Sequence, residues 1–447
     1  MSIKSIISKL TGRFKIAIVR NIIIVGSVTL FVKVAGFYKE TLVASSFGLS
    51  ELLDSFYLAI LIPSFIQAVF IGSVKNIFIP NYVAETKNSE NPDIGGFQTL
   101  GFLLIFGIVL IFIILTFLFG LYFLEYAFPN HTDSFYSLTR TQLFIMTPCL
   151  LFWGGSSLLS ALLDIDNKFL ASAIYPVFIA VCTIIFLVYF KESFGEMVLA
   201  LGTLTGSVVG FIFLLAVTLK SKLIILSNPL VNENTRMMIN QLPPKITSGF
   251  LTGMNQFVDQ FFAAQLAVGS ISAINYGIKI PSFILTLSMI ATGTVLLPYF
   301  SKKITENRLQ AFKDLFKILK VIFGLGLVVT AVIFIFSSDI IRFLFERNEF
   351  TSDDTYTVSL IQQIILVYVP FYLCGNLLGK FLTSINKNRF MAWVSLYNLI
   401  ANIAFNIIFM KLYGVYGLAI STSLVITISS FIYLFFTYKQ YKRTLAQ

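Results

Sequence analysis

Long apolar runs, each bounded by charges, Pro/Gly or Asn/Asp clusters, recur along the whole chain with little polar sequence between them. A helix needs about 20 such residues to cross the hydrocarbon core. The pattern predicts twelve spans, near 21–45, 54–83, 98–124, 141–163, 169–190, 197–219, 245–267, 270–298, 314–337, 357–382, 391–411 and 417–437. The longest connections, 220–244 and 338–356, are loop-sized, so nothing substantial is expected outside the bilayer. The first run follows a basic stretch and has no small-residue cleavage site, so no removable signal peptide is expected.

Composition agrees with the pattern: 57% of residues are hydrophobic and 12% charged, against about 25% charged in soluble domains. A water-soluble domain is excluded. Cys149, Cys182 and Cys374 all lie inside apolar runs and give no disulfide framework. With a single histidine, His131, no histidine-based metal site or catalytic triad can be assembled. No P-loop is present, so ATP is not expected to act directly. The expectation is a non-enzyme with no catalytic residue, metal or cofactor.

A formal charge of +11 would suit nucleic acid if the basic residues clustered. They sort by side of the membrane instead. Twenty Lys and Arg lie at the termini and in the even-numbered connections, against five in the odd-numbered ones. The positive-inside rule then places both termini in the cytoplasm, with the bilayer and not nucleic acid as partner.

Internal repetition sets the domain organisation. IPSFI stands at 62–66 and again at 280–284, an offset of 218 that also relates Pro80 to Pro298. Asn167-Lys168-Phe169 answers Asn388-Arg389-Phe390 at 221, and Phe194-Gly195 answers Tyr413-Gly414 at 219. The predicted fold is an all-α polytopic membrane protein with about twelve transmembrane helices in two pseudo-symmetric six-helix lobes around a central cavity. The N-terminal lobe is expected at 1–222, a cytoplasmic inter-lobe linker at 223–244 and the C-terminal lobe at 245–447. Six spans per half insert both halves in the same sense, as in transporters with parallel repeats.

Ionisable residues within spans are costly and default to functional candidates. They are Lys33, Lys39 and Glu40 in span 1, Asp54 and Lys75 in span 2, Asp259 in span 7, Lys279 in span 8 and Lys380 in span 10. At about 100° per residue Lys33, Gly36 and Glu40 share one side of a helix; the alternative is a neutralising Lys33–Glu40 pair. Ser248, Thr252, Asn255 and Asp259 form one polar stripe, and Asn398, Asn402 and Asn406 another, facing a wet cavity or bonding between helices. Lys75 and Lys380 read as snorkelling to the inner interface. Lys279 precedes Pro281, where a helix bends. Asp259 among hydroxyl and amide oxygens suits Na+ or a proton, its alternative being a structural partner for Lys279.

The stretches TLFVKVAGFYKETLVASSFG (29–48), LDSFYLAILIPSF (53–65), FIPNYVAE (78–85), NYGIKIPSF (275–283) and GTVLLPYFSK (293–302) resemble the signature of the MviN/MurJ lipid II flippases of the multidrug/oligosaccharidyl-lipid/polysaccharide exporter superfamily. The resemblance implies two lobes that alternately expose a central cationic cavity. It places family cavity arginines at Lys33, Lys39 and Lys279, and the family's span 2 acid at Asp54. A further family arginine aligns with the neutral Gln67. Lysine is a point charge and grips pyrophosphate less well than the planar arginine fork.

Twelve spans resemble Wzx-type O-antigen or capsule-unit flippases, whereas MurJ-type proteins resemble this chain plus two helices; the glycan, lipid II or an O-antigen/capsule repeat unit, stays open. Both readings imply an undecaprenyl-pyrophosphate-linked sugar. Its tail can remain in the bilayer, while its headgroup needs a polar path. The substrate-binding set is Lys33, Lys39, Lys279, Asp54, Gln67, Asn255, Asn398 and Asn402, and the ion-coupling set is Asp259 and Glu40. The expected energy source is Na+ or H+ coupling or the membrane potential. The expected site of action is the bacterial inner membrane, where the chain works as a monomer, with glycan-assembly proteins as further partners. Two rival functions are a cation-coupled multidrug antiporter, which would need an acidic cavity, and a membrane glycan polymerase or ligase, which would need a large outer loop.

Overall fold

The computed structural model describes residues 26–88, 92–129, 131–229 and 231–446. Lys4, Lys9, Arg13, Lys15 and Arg20 of the charge argument, and the first residues of the span placed at 21–45, lie outside the described residues. Among the described residues every regular element is helical, and the helices run as twelve rods in the predicted order.

These are α1 (26–47) and α2, which passes from Glu51–Ile66 through a π turn at Gln67–Ile71 into Gly72–Asn88. Next come α3 (Ile94–Ala127), α4 (Asp133–Met146 and Cys149–Ile165), α5 (Phe169–Ile174 and Val177–Tyr189) and α6 (Val198–Lys220). Then follow α7 (Glu233–Ala263), α8 (Ser270–Gly277, Lys279–Ala291, a π turn at Thr292–Leu296, and Leu297–Glu306) and α9 (Arg308–Ile335). The last three are α10 (Ser352–Leu366 and Val369–Ser384), α11 (Asn388–Tyr413) and α12 (Val415–Leu445).

Eight rods, α2 to α6, α9, α11 and α12, are each long and apolar enough to cross a bilayer, and α10 makes a ninth bent by 43°. The other three, α1, α7 and α8, carry Lys33, Lys39, Glu40, Asn255, Asp259 and Lys279 of the residues singled out in the sequence. Two connections are more ordered than expected. Residues 233–244, placed in the linker, are the first turns of α7. The 338–356 connection holds a helix, Ser337–Phe345, that buries Ile341 and Phe345. A capping box between Thr351 and Asp354 then starts α10.

The described residues fall into two compact units. One takes the described residues up to Val43 with Ala59–Tyr126 and Thr132–Gly249; the other takes Ala44–Leu58, Ala127–His131 and the chain from Phe250 onward. In the first unit α6 packs on α5 along Gly202 and Gly206, one turn apart. A β-carbon on Gly206 would stand 2.4 Å from Ile179 Cα, so only glycine permits this approach. In the second unit Phe300, Phe312, Leu315 and Phe381 form the core shared by α8, α9 and α10.

The duplication is visible in the backbone. Gly195 and Gly414, 219 residues apart, both have positive φ, at 50° and 57°, with ψ near −120°, a region open to glycine. Asn167 and Asn386 are likewise left-handed, and each is followed by a lysine N–H closing onto a leucine carbonyl: Lys168 to Leu163 at 2.8 Å and Lys387 to Leu382 at 2.9 Å. The turn therefore repeats at 219 and not at the 221 suggested by Asn388-Arg389-Phe390, because Asn388 and Arg389 already belong to α11.

Candidate functional site

In the first unit, α1 exposes Lys33, while Lys39 and Glu40 are paired at 2.6 Å with side chains 21% and 12% exposed. Glu40 thus pairs with its neighbour: the long Lys39 side chain folds back over the adjacent position. Gln67 opens the π turn of α2 and is partly buried. An inserted residue of this kind turns side chains to new directions and is common at functional sites. Lys75 does not snorkel. Its ammonium lies 2.8 Å from Ser160 Oγ and 3.5 Å from Asp164 Oδ2 on α4, and Asp164 also accepts from Ser172 of α5.

The fully buried Glu85, at the far end of α2, was not singled out from the sequence. It accepts from Asp93 N–H at 2.9 Å, Asn232 Nδ2 at 2.9 Å and Asn234 Nδ2 at 2.6 Å. These bonds fasten the start of α7 to α2.

In the second unit, Asp54 is 4% exposed and both of its oxygens are occupied. Oδ2 accepts Gly269 N–H at 2.7 Å, and Oδ1 accepts Ser272 N–H at 2.8 Å and Ser272 Oγ at 2.6 Å. It caps α8, a different task from the substrate contact expected of it. Lys279, at the α8 break, places its ammonium 5.9 Å from the centre of the Tyr57 ring.

The two polar stripes meet. Asp259 of α7 accepts Asn402 Nδ2 and Asn406 Nδ2 of α11 on Oδ1, each at 3.0 Å, and Thr422 Oγ1 of α12 on Oδ2 at 3.2 Å. Asn402, expected to hold sugar, is spent on this cluster and is 2% exposed. Asn406 is fully buried, yet its Oδ1 has no hydrogen-bond partner among the described residues. Thr422 was missed because it sits in an unremarkable run of small residues. Asn255 bonds back to Leu251 O at 3.4 Å, and Asn398 lies apart from Asp259, on a cavity beside Lys380. Among the described residues no three His, Cys, Asp or Glu converge as a metal site. What α7, α11 and α12 bring together is one carboxylate, two side-chain amides that turn N–H groups to it, and a hydroxyl.

Comparison with known proteins bears on the family. The family described as "Lipid II flippase MurJ" matches residues 43–447. A Burkholderia cenocepacia protein named lipid II flippase MurJ is 25% identical over 375 residues, covering 81% of this chain and 72% of that protein. A MurJ relative from Buchnera aphidicola is 26% identical over 429 residues, covering 93% of this chain and 82% of the relative. Among solved structures, a lipid II flippase MurJ in an inward closed conformation has a TM-score of 0.81 at 23% identity, covering 93% of this chain and 87% of that one. An inward-facing multidrug resistance transporter of the MATE family has a TM-score of 0.74 at 12% identity, over 95% and 99% of the two chains. Both structural likenesses establish the fold.

Proposed function

Since the chain belongs to the MurJ lipid II flippase family, we propose that it moves lipid II, or a closely related undecaprenyl-pyrophosphate-linked glycan, from the inner to the outer leaflet of the bacterial cytoplasmic membrane. The match over residues 43–447 carries this reading, because it takes in eleven of the twelve rods whole and is not confined to one motif. It is a multi-pass membrane transporter and not an enzyme. No bond in the substrate needs to change; the protein has only to shelter a polar headgroup while the tail stays in lipid.

Lys33, Lys39 and Lys279 supply the cations for the pyrophosphate, and both termini face the cytoplasm. Lys39 keeps its charge available only in part, since Glu40 shares it. Asp259 with Asn402, Asn406 and Thr422 couples the cycle to Na+; the buried Asn406 Oδ1, which has no hydrogen-bond partner among the described residues, supports this role as a further oxygen on the residue that bonds Asp259. An antiporter reading rests on the MATE fold alone, at 12% identity.

The test is depletion of the protein in its own host followed by a leaflet assay. Lipid II is expected to accumulate on the inner leaflet and to become accessible outside again when the chain is restored. Normal outward lipid II in depleted cells, with a different polyprenyl-linked glycan trapped inside, would move the assignment to that glycan.

A further inference from the structure

Between α10, α11 and α12 the second unit has a half-open cavity of about 290 Å3. Its wall carries Lys380, Thr383, Asn398, Ser429, Ser430 and Tyr433. Lys380 is half-buried and makes no ion pair among the described residues. The Asn398 Oδ1 is buried and has no hydrogen-bond partner among them. Thr383, Ser429 and Ser430 donate their hydroxyl protons to their own helices, to Gly379 O and twice to Ile426 O, at 2.9 to 3.0 Å. Their oxygens keep lone pairs for an incoming donor. The wall therefore presents one ammonium and several acceptor oxygens.

The first unit shows what this place looks like when it is filled. The breaks in α4 at 147–148 and in α10 at 367–368 set a local offset of 220, under which Gly155 answers Gly375. An added β-carbon on Gly155 would stand 2.5 Å from the ring of Phe211, and one on Gly375 would stand 2.6 Å from Ser430 Oγ. Phe211 and Ser430 are themselves related by 219, the offset of Gly195 and Gly414. A phenyl ring in one half is a hydroxymethyl group in the other, and space is left.

The charge differs in the same way. Ser160, which answers Lys380 at 220, receives the Lys75 ammonium, and Lys75 has Asp164 beside it. The residue that answers Asp164 is Ser384. The first unit neutralises its lysine internally; the second has a lysine and no acid. A half-buried lysine that lines a cavity holding no acid points to an anion from outside the chain.

We propose that this cavity binds the anionic, hydroxyl-bearing headgroup of a lipid. A phosphate ester oxygen meets Lys380, and hydroxyl groups on the same headgroup donate to Asn398 Oδ1 and to the Ser429 and Ser430 oxygens. The volume sits at the lower edge of the roughly 300–1,000 Å3 of drug-sized pockets, so it holds a phosphoglycerol or a single sugar phosphate and not a glycopeptide. A choline headgroup fits badly: it has no donor for the acceptor oxygens, and its own cation opposes Lys380. The same chemistry is found in an anionic glycerophospholipid of the bilayer and in a polyprenyl phosphate sugar. Binding here does not depend on the flipping assignment.

Native mass spectrometry of the full chain in dodecyl maltoside tests it, with phosphatidylglycerol, undecaprenyl-phosphoryl glucose and phosphatidylcholine titrated separately. At least one of the two anionic lipids is expected to bind ten-fold or more tightly than phosphatidylcholine, and the better one identifies the source. Lys380→Met and Ser430→Phe, the second copying Phe211, should each reduce that lipid to the phosphatidylcholine level. Flipping activity has no part in the readout, so a failed lipid II assay leaves this result standing. The site is overturned if all three lipids bind the wild type alike, or if Lys380→Met keeps wild-type affinity at an unchanged unfolding temperature. The lysine variant alone decides the matter should the phenylalanine variant not fold.

Discussion

Asp54 and Ser272 stand 218 residues apart, the interval at which IPSFI recurs, and the hydroxyl of Ser272 donates to the Asp54 carboxylate at 2.6 Å. A residue of the first repeat thus bonds to its own counterpart in the second. The helix it caps has Gly269 at its N-cap, with a φ of 89° and no side chain to accept the Ser272 N–H. Asp54 serves as that acceptor from a distant part of the chain.

Removing the acceptor should therefore cost stability. A lost N-cap is worth about 0.5–2 kcal/mol, and a donor stranded in a buried place about 1–3 kcal/mol more. Asp54→Ala should lower the unfolding temperature in detergent clearly more than Ser272→Ala, which leaves both backbone donors satisfied. The double variant should lose less than the sum of the two, since they share one bond. An Asp54→Ala protein that unfolds at the wild-type temperature contradicts the cap.

The three lysines make a second prediction. Lys33→Ala and Lys279→Ala should abolish growth rescue at normal protein level, while arginine at either position keeps at least part of it, because charge is what the pyrophosphate needs. Lys39→Ala should be rescued in part by Glu40→Gln, which relieves the carboxylate stranded by loss of its 2.6 Å partner. Full complementation by all three alanine variants would place the pyrophosphate elsewhere.

Hydropathy made the rods and their order legible, because each span must satisfy its backbone within itself and so declares its length. The duplication was legible in IPSFI and in Gly195 and Gly414, where a backbone demand constrains the residue. Side-chain partners were not. Asp259 and Asn402 lie 143 residues apart, and the 3.6-residue period says which face a residue occupies without naming the face opposite. Thr422, Asp164 and Glu85 escaped for that reason. Asp54 was expected at substrate by its charge, whereas its buried N–H partners belong to a backbone whose φ at Gly269 no pattern announces.

Topology is open to a direct check. Ser134 and Asn307 are both exposed, one at the start of α4 and one between α8 and α9. With Cys149, Cys182 and Cys374 replaced, a cysteine at Ser134 should react with an impermeant maleimide in intact cells, and one at Asn307 only after the inner membrane is opened. Asn307 also caps α9 by accepting Gln310 N–H at 2.8 Å, so its replacement should cost about 1 kcal/mol without altering the side on which it labels. The reverse pattern of labelling would invert the orientation.

Asp259 separates coupling from architecture. Its partners are Asn402, Asn406 and Thr422, and among the described residues it makes no ion pair. The Lys279 ammonium lies 5.9 Å from the centre of the Tyr57 ring. Asp259→Asn keeps the shape and removes the charge, so a cation site should lose its Na+ dependence of transport in liposomes. Asn406→Leu should weaken the apparent Na+ affinity, since it removes the unpartnered Oδ1 together with the Nδ2 donor to Asp259 while leaving the carboxylate in place. A merely structural cluster predicts the opposite order of effects: lower unfolding temperatures in both variants, with Na+ dependence unchanged wherever transport survives. Measuring the unfolding temperature with and without NaCl gives a second readout, since a cation bound only by the folded protein raises it by mass action. That rise should be present in the wild type and absent from Asp259→Asn; an equal rise in both proteins would falsify the site.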